Sequence, residues 1–336
     1  MTTPTSAPTP SGSTDPIRWG ILGAGKIASA FVGDLTSAGH TVAAVGARSG
    51  DSARAFADRF GIPHAHGGYD ALLADDTVDV VYIATPQGLH EEHAGMVFAA
   101  GKAALIEKSF TVDGASARRV ADAARTAGVF AMEAMWTRFL PPMVELRRAI
   151  DDGSIGELRS VDTGHYQAIR PQPGSRHLDP DLGGGALIDL GVYGVSFAVQ
   201  LLGAPTSIEA VGDILPSGVD GDATVLMRHE RGYSSTRFSM QQAGPSRAAV
   251  IGSEGYLELD PYWFTWTSLS RHSGGRPSVE LERFDAGPTP RGLHFQAAEV
   301  ERCLRAGLTE SPVMPLEESV VVMQTLDRIR ERLHAS

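Results

Sequence analysis

The chain has 336 residues, 42% of them hydrophobic and 21% charged, a length for about two domains of ~150 residues and a mix that excludes a wholly disordered or collagen-like chain. Its formal net charge of −11 repels phosphate backbones and excludes a nucleic-acid partner. No run of ~18 apolar residues offers a membrane span, and a single cysteine, Cys303, leaves no internal disulfide and no cysteine-based metal site.

Residues 1–15 are rich in Ser, Thr, Pro and Gly and read as a flexible arm. They lack a positive end and an apolar core, so they do not read as a secretory signal, and a cytoplasmic setting is expected. From residue 16 to residue 137, short apolar runs alternate with longer amphipathic ones. Ile17–Leu22, Thr41–Ala47, Val78–Ala84, Ala103–Ile106 and Val129–Met132 are predicted strands; Lys26–Thr36, Ser52–Phe60, His90–Ala100 and Gly114–Ala127 are predicted helices. Strands separated by 10–15-residue helical stretches give right-handed crossovers and a parallel sheet, here a doubly wound dinucleotide-binding domain of five or six strands.

The pattern changes after Trp136. Pro141–Ile150 and Leu182–Leu202 read as helices, the second ended by Gly203 and Pro205. Seven β-rich segments follow: Ile208–Ile214, Ala223–His229, Ser234–Met240, Arg247–Ile251, Tyr256–Leu259, Trp263–Ser270 and Val279–Phe284. Their tight spacing predicts a large, mostly antiparallel open sheet. His294–Ala306 and Leu316–His334 close an α+β domain over residues 138–336. Cys303, with Val300 and Leu304 at helical spacing, reads as a buried helical thiol.

Gly20-Ile21-Leu22-Gly23-Ala24-Gly25-Lys26-Ile27-Ala28 follows the first strand and opens the first helix. Gly23 suits the turn, Gly25 lets the backbone approach a pyrophosphate, and the amides at Lys26 and Ile27 begin a helix whose dipole favours an anion. The second strand ends in Ala47-Arg48-Ser49 without the acid that an NAD enzyme usually places there. Arg48 and Ser49 can instead pair with a 2′-phosphate, so NADP is favoured and NAD stays open. The nearby Asp51 counts against it.

Ala84-Thr85-Pro86-Gln87-Gly88-Leu89-His90, Glu107-Lys108-Ser109 and Gly183-Gly184-Gly185-Ala186-Leu187-Ile188-Asp189-Leu190-Gly191-Val192-Tyr193, together with the Gly-rich turn, resemble motifs of the Gfo/Idh/MocA oxidoreductases. Glu133-Ala134-Met135-Trp136-Thr137-Arg138-Phe139-Leu140-Pro141 resembles the branch of dimeric dihydrodiol dehydrogenases and NADP-dependent D-xylose dehydrogenases. The resemblance implies that Lys108 lies beside substrate and nicotinamide, that Tyr193 stands where other members carry a histidine acid/base, and that copies pair through the second-domain sheet as a homodimer or homotetramer. By the same resemblance Thr85, Pro86, His90 and Glu107 frame the cofactor, while Trp136, Arg138 and Arg176 are candidates for the substrate. Ser109 and Gln87 depart from the usual proline and asparagine, which leaves the backbone behind Lys108 less constrained.

Oxidising an alcohol needs a base for the O–H proton while hydride leaves carbon. A phenol with a free pKa of ~10 is a poor base at neutral pH, and an adjacent ammonium is expected to lower that value. Asp189, four residues before Tyr193, is placed to orient the lysine or bond a substrate hydroxyl. Arg176 and His177 sit in a loop over residues 171–181 that can cover a substrate, and His165 reads as structural. The 11 histidines show no sequence spacing suited to a metal, so none is expected. The leading expectation is an NADP-dependent dehydrogenase for a secondary or anomeric alcohol of a sugar, cyclic polyol or trans-dihydrodiol. The alternatives are a dinucleotide-binding sensor without chemistry and a cofactor-recycling enzyme that cleaves glycosides.

Overall fold

The computed structural model describes residues 15–169, 171–172, 174–287 and 291–335. The arm expected over residues 1–15 therefore lies, apart from Asp15, outside the described residues.

Two sheets organise the chain. The first holds β1 (Arg18–Leu22), β2 (Thr41–Ala47), β3 (His64–Gly67), β4 (Val80–Ile83), β5 (Ala103–Glu107) and β6 (Ala131–Ala134). All its pairings are parallel, in the order β3-β2-β1-β4-β5-β6, the doubly wound arrangement. β4, β5 and β6 are buried at every position, which is why strands covered on both faces read as unbroken apolar runs. Their helices are α1 (Lys26–Ser37), α2 (Gly50–Phe60), α3 (Tyr69–Leu73), α4 (His90–Ala99) and α5 (Gly114–Ala127). Local chemistry sets the ends of these helices: Asp113 and Ser116 form a capping box at the start of α5, and Gly128 ends it in the left-handed region. β3 escaped the sequence reading because His64-Ala65-His66-Gly67 is short, polar and at the sheet edge.

After α6 (Pro141–Asp151), β7 (Leu158–Tyr166) enters the second sheet. A turn of π-helix at Leu187–Gly191 runs into α7 (Val192–Leu202), so the helix expected from Leu182 begins later, after a Gly-rich turn. Then come β8 (Pro205–Ile214), β9 (Asp220–His229), β10 (Tyr233–Ser239), β11 (Ala248–Gly252), β12 (Gly255–Leu259), β13 (Ser268–Ser273) and β14 (Glu280–Asp285). The eight strands lie in the order β14-β13-β12-β11-β7-β10-β9-β8, antiparallel except where β7 meets β10. β7 sits inside the sheet and contains His165, for which a strand is expected from sequence; its bounds are hard to read there because Asp162, Thr163, Gly164 and His165 interrupt any apolar run. The strand expected over Trp263–Ser270 starts only at Ser268; Trp263 lies before it with its indole buried and donating to Gly164 O at 3.0 Å.

α8 (His294–Arg305) and α9 (Leu316–Ala335) pack back toward the first sheet, α8 against α1 and α9 against α5 and β6. Glu301 on α8 accepts from the Trp19 indole at 3.1 Å and lies 2.7 Å from His40 Nδ1. Cys303 is a buried free thiol on α8.

Candidate active site

At the end of β1 the backbone turns at Gly23, whose φ of +105° and 3.1 Å clearance between a notional Cβ and Ala84 O leave room for glycine alone. Gly25 is the N-cap of α1 and has no side chain to satisfy the helix's first amides; a Cβ there would meet nothing within 4 Å. No acid stands in the first turn. Open space thus faces a set of free donors at a helix N-terminus, which is what a pyrophosphate needs.

This edge forms one wall of a cleft of about 530 Å³ that Arg48, Ser49, Tyr69, Thr85 and Pro86 also line. Arg48 is exposed, and the Asp51 carboxylate that counted against an anion site is held by Arg54 at 2.5 Å. The Ser49 hydroxyl accepts from the Ser52 amide at 3.2 Å and so caps α2. Tyr69 is a wall residue that no sequence motif signals; burial raises its pKa, opposed by Arg48.

A second cleft of about 510 Å³ shares Gly25, Ala84, Thr85 and Pro86 with the first, so the two form one groove. Lys26 and Ile27 line it on one side, and Glu107, Lys108, Gln87, Arg176, His177 and Asp189 close its far end. β5 delivers Glu107 and Lys108 there. Glu107 accepts from Tyr82 Oη at 2.5 Å and from the Lys108 amide at 3.0 Å, and burial pushes its pKa up to about 7. Lys108 Nζ donates to Asp189 O at 2.9 Å and Oδ1 at 3.2 Å, and lies 5.0 Å from the centroid of the Tyr193 ring.

Burial opposes charge on both partners of this pair, yet their attraction wins: Lys108 is held above its ordinary range and Asp189 is pulled down to about 2 by Lys108 and then Arg176. Tyr193 behaves otherwise. Burial raises its pKa, and the opposing pull of Lys108 does not reverse that. The ammonium pulls the phenol in the expected direction, but burial outweighs it, and the Tyr193 pKa stays above its ordinary value. Its hydroxyl accepts from Trp136 Nε1 at 3.1 Å.

The 176–178 turn supplies the outer wall. Arg176 donates to Gln87 Oε1 at 3.3 Å and lies 3.7 Å from Asp189, with His177 3.5 Å from the same carboxylate. Gly184 lets this turn close, since a Cβ there would lie 2.7–2.9 Å from the carbonyls of Asp179, His177 and Arg176. Asp220, which the sequence reading missed, accepts from the Leu187 amide at 2.5 Å and fixes the start of the π-turn.

Ser109, in place of the expected proline, follows a cis peptide bond, and its hydroxyl donates to Ile188 O at 2.6 Å. That bond ties the strand end that carries Lys108 to the segment that carries Asp189. His165 is buried and stacks on Phe264 at 3.7 Å, with its Nδ1 3.1 Å from Leu190 O.

Two further expectations change. His90 does not face the groove: it is fully buried, with ring nitrogens 2.8 Å from Thr85 O and 3.0 Å from Ser109 O, so it braces the loops that line the cleft. Arg138 is also buried, donating to Ser196 O and Oγ and to Val313 O and pairing with Glu318 at 2.5 Å, which commits its guanidinium to the interior. Among the described residues, His64 and His66 of β3 meet Asp75, which lies too far along the chain for spacing to reveal the group.

Residues 17–135 match the oxidoreductase family with an NAD-binding Rossmann fold, and residues 143–258 match the GFO/IDH/MocA C-terminal domain. The chain is 37% identical to the trans-1,2-dihydrobenzene-1,2-diol dehydrogenase of Mus musculus and 34% identical to that of Homo sapiens, in each case over 94% of this chain and 97% of the relative. Among solved structures it is similar to KijD10, a 3-ketoreductase from Actinomadura kijaniata in complex with NADP and TDP-benzene, at 29% identity and a TM-score of 0.80 over 95% of this chain and 98% of that one. The aldose-aldose oxidoreductase of Caulobacter crescentus shares the fold at a TM-score of 0.86 and 22% identity, over 96% of this chain and 98% of that one.

Proposed function

Because the chain belongs to the Gfo/Idh/MocA oxidoreductase family, we propose that it transfers a hydride between NADP(H) and a secondary or anomeric alcohol of a sugar, cyclic polyol or trans-dihydrodiol. The observation that carries this reading is that Lys108 and Asp189 line one end of a groove headed by Gly25 and Arg48 at the other, with the buried Tyr193 ring 5.0 Å from Lys108 Nζ. The names of the relatives support a cyclic diol as substrate, and the NADP in the ketoreductase structure supports the cofactor.

When bound, the nicotinamide accepts or supplies the hydride. The open edge at Gly25 and the first amides of α1 fit its pyrophosphate, and the exposed Arg48 suits a 2′-phosphate. Tyr193 is the acid/base. As a neutral phenol it donates a proton to a carbonyl oxygen in reduction; in oxidation it takes the alcohol proton as a phenolate, which the Lys108 charge stabilises. Asp189 keeps that charge in place, the Trp136 N–H orients the phenol, and Arg176 and His177 offer donors to substrate hydroxyls. Two copies pair through the outer face of the second sheet. The cytoplasm, where a lone thiol such as Cys303 persists, is the setting.

The test is turnover of NADP(H) and NAD(H) with a panel of pentoses, hexoses, inositols, trans-dihydrodiols and the matching ketones, followed by the absorbance of the reduced nicotinamide. Turnover of at least one compound is expected, with NADP(H) preferred and the KM for NADPH raised by Arg48→Ala. An unchanged KM in that variant removes the NADP preference. Binding of NADP without turnover of any compound in either direction overturns the enzyme reading in favour of a sensor. Cleavage of a glycoside without net change in nicotinamide would transfer the site to the recycling reaction.

A further inference from the structure

Away from the groove, the edge strand β3 carries two histidines at positions two apart, so both rings leave the same face of the strand. The loop between α3 and β4 brings Asp75 against them. His64 Nδ1 lies 2.7 Å and His66 Nε2 2.8 Å from the same carboxylate oxygen, Asp75 Oδ2. The three ligand atoms all lie within 4.8 Å of one another. The other carboxylate oxygen is already committed: Asp75 Oδ1 accepts from the Thr77 amide at 2.9 Å and from Thr77 Oγ1 at 2.6 Å. Lys102 Nζ donates to the carbonyls of Asp75 and Val78, which anchors the loop through its backbone and leaves Oδ2 to the two rings.

We infer that His64, His66 and Asp75 form a binding site for a divalent transition-metal ion of the zinc class, outside the groove and independent of the reaction proposed for it. Two imidazoles and one carboxylate are the ligand set that a borderline-soft cation selects over Mg²⁺ or Ca²⁺. Bonds of about 2.0 Å to a tetrahedral ion place ligand atoms ~3.3 Å apart, so each histidine nitrogen moves only about half an ångström farther from Asp75 Oδ2 to admit one. Each ring then carries its hydrogen on the nitrogen that faces away. Thr77 is the outer partner that aims the carboxylate. Burial is graded across the trio: the Asp75 side chain is 7% exposed, His66 25% and His64 44%, so solvent and an incoming ion reach it from the His64 side. The bound ion clamps the edge strand to the loop that leads into β4 and stabilises the folded domain by mass action.

The experiment uses full-length, tag-free protein stripped with chelator and titrated with ZnCl₂ by calorimetry, alongside CoCl₂ as a visible-absorption probe. One equivalent of Zn²⁺ per chain is expected, with a higher Tm and the spectrum of a tetrahedral Co²⁺ centre. His66→Gln and His64→Gln should each weaken binding at least as much as the roughly 10–100-fold that loss of an outer-shell partner costs. His64 is nearly half exposed, so its variant keeps the fold, and unchanged nicotinamide binding checks this. Absence of stoichiometric binding by the wild-type chain, or stoichiometric binding that survives both substitutions, overturns the site.

Discussion

Tyr193 shows how a residue's surroundings decide its chemistry. A phenol buried against Phe264 and His165 would resist ionisation alone, and the ammonium 5.0 Å from its ring softens that without reversing it. The sign of the pH dependence follows. The phenol form that reduction needs is fully present at neutral pH, so ketone reduction should be flat there. The phenolate that oxidation needs gains population only toward and above the ordinary tyrosine value of ~10, so kcat/KM for alcohol oxidation should climb with pH through the alkaline range. Tyr193→Phe should lower turnover by the ~10²–10⁴-fold of a lost acid/base while the cofactor Kd holds. A variant with wild-type turnover, or an oxidation profile that falls as pH rises, removes Tyr193 from that role.

At the level of elements, the segment from Gly183 to α7 does what a regular helix could not. Asp220 holds the Leu187 amide, the π-turn over Leu187–Gly191 carries Asp189, and α7 then sets the Tyr193 ring 5.0 Å from Lys108 Nζ. The approach of the 176–179 turn depends on Gly184 having no side chain. Gly184→Ala should destabilise the protein by roughly 1–3 kcal/mol, the usual range for overpacking. Because the displaced turn carries Arg176 and His177, the KM for substrate should rise severalfold while the cofactor Kd stays unchanged. A lowered Tm accompanies either outcome; equal losses in cofactor and substrate binding would point instead to general unfolding and overturn the selective role of the turn.

For the whole molecule, the second sheet has two different faces. Ala223, Val225 and Met227 of β9 are buried, while Thr224, Leu226 and Arg228 face outward. That outer face is mixed: exposed Val211, Leu226 and Tyr233 stand among Glu209, Arg228 and Arg237. Pairing through it would join apolar patches framed by charges of both signs. Light scattering should give twice the 35.5 kDa chain mass, and Leu226→Glu should shift the population toward the single chain. A wild-type protein of one chain mass would remove the pairing.

Period and punctuation alone determined the doubly wound first domain, the Gly-rich turn at Gly23 and Gly25 and the antiparallel character of the second sheet, whereas the grouping of Lys108, Asp189 and Tyr193 came from the motifs shared with the family. Buried parallel strands, amphipathic helices and positive-φ glycines each leave a local mark in the sequence. What the sequence left open depends on distant partners. Arg138 and His90 carry the residue types of a binding site, and only packing shows that they are buried and hydrogen-bond to Ser196, Val313, Thr85 and Ser109. Burial set the Tyr193 pKa against its neighbour's charge, and the fold alone brought Asp75 to His64 and His66. Desolvation and long-range contact are sums over the folded surroundings, and no window of neighbouring residues contains them.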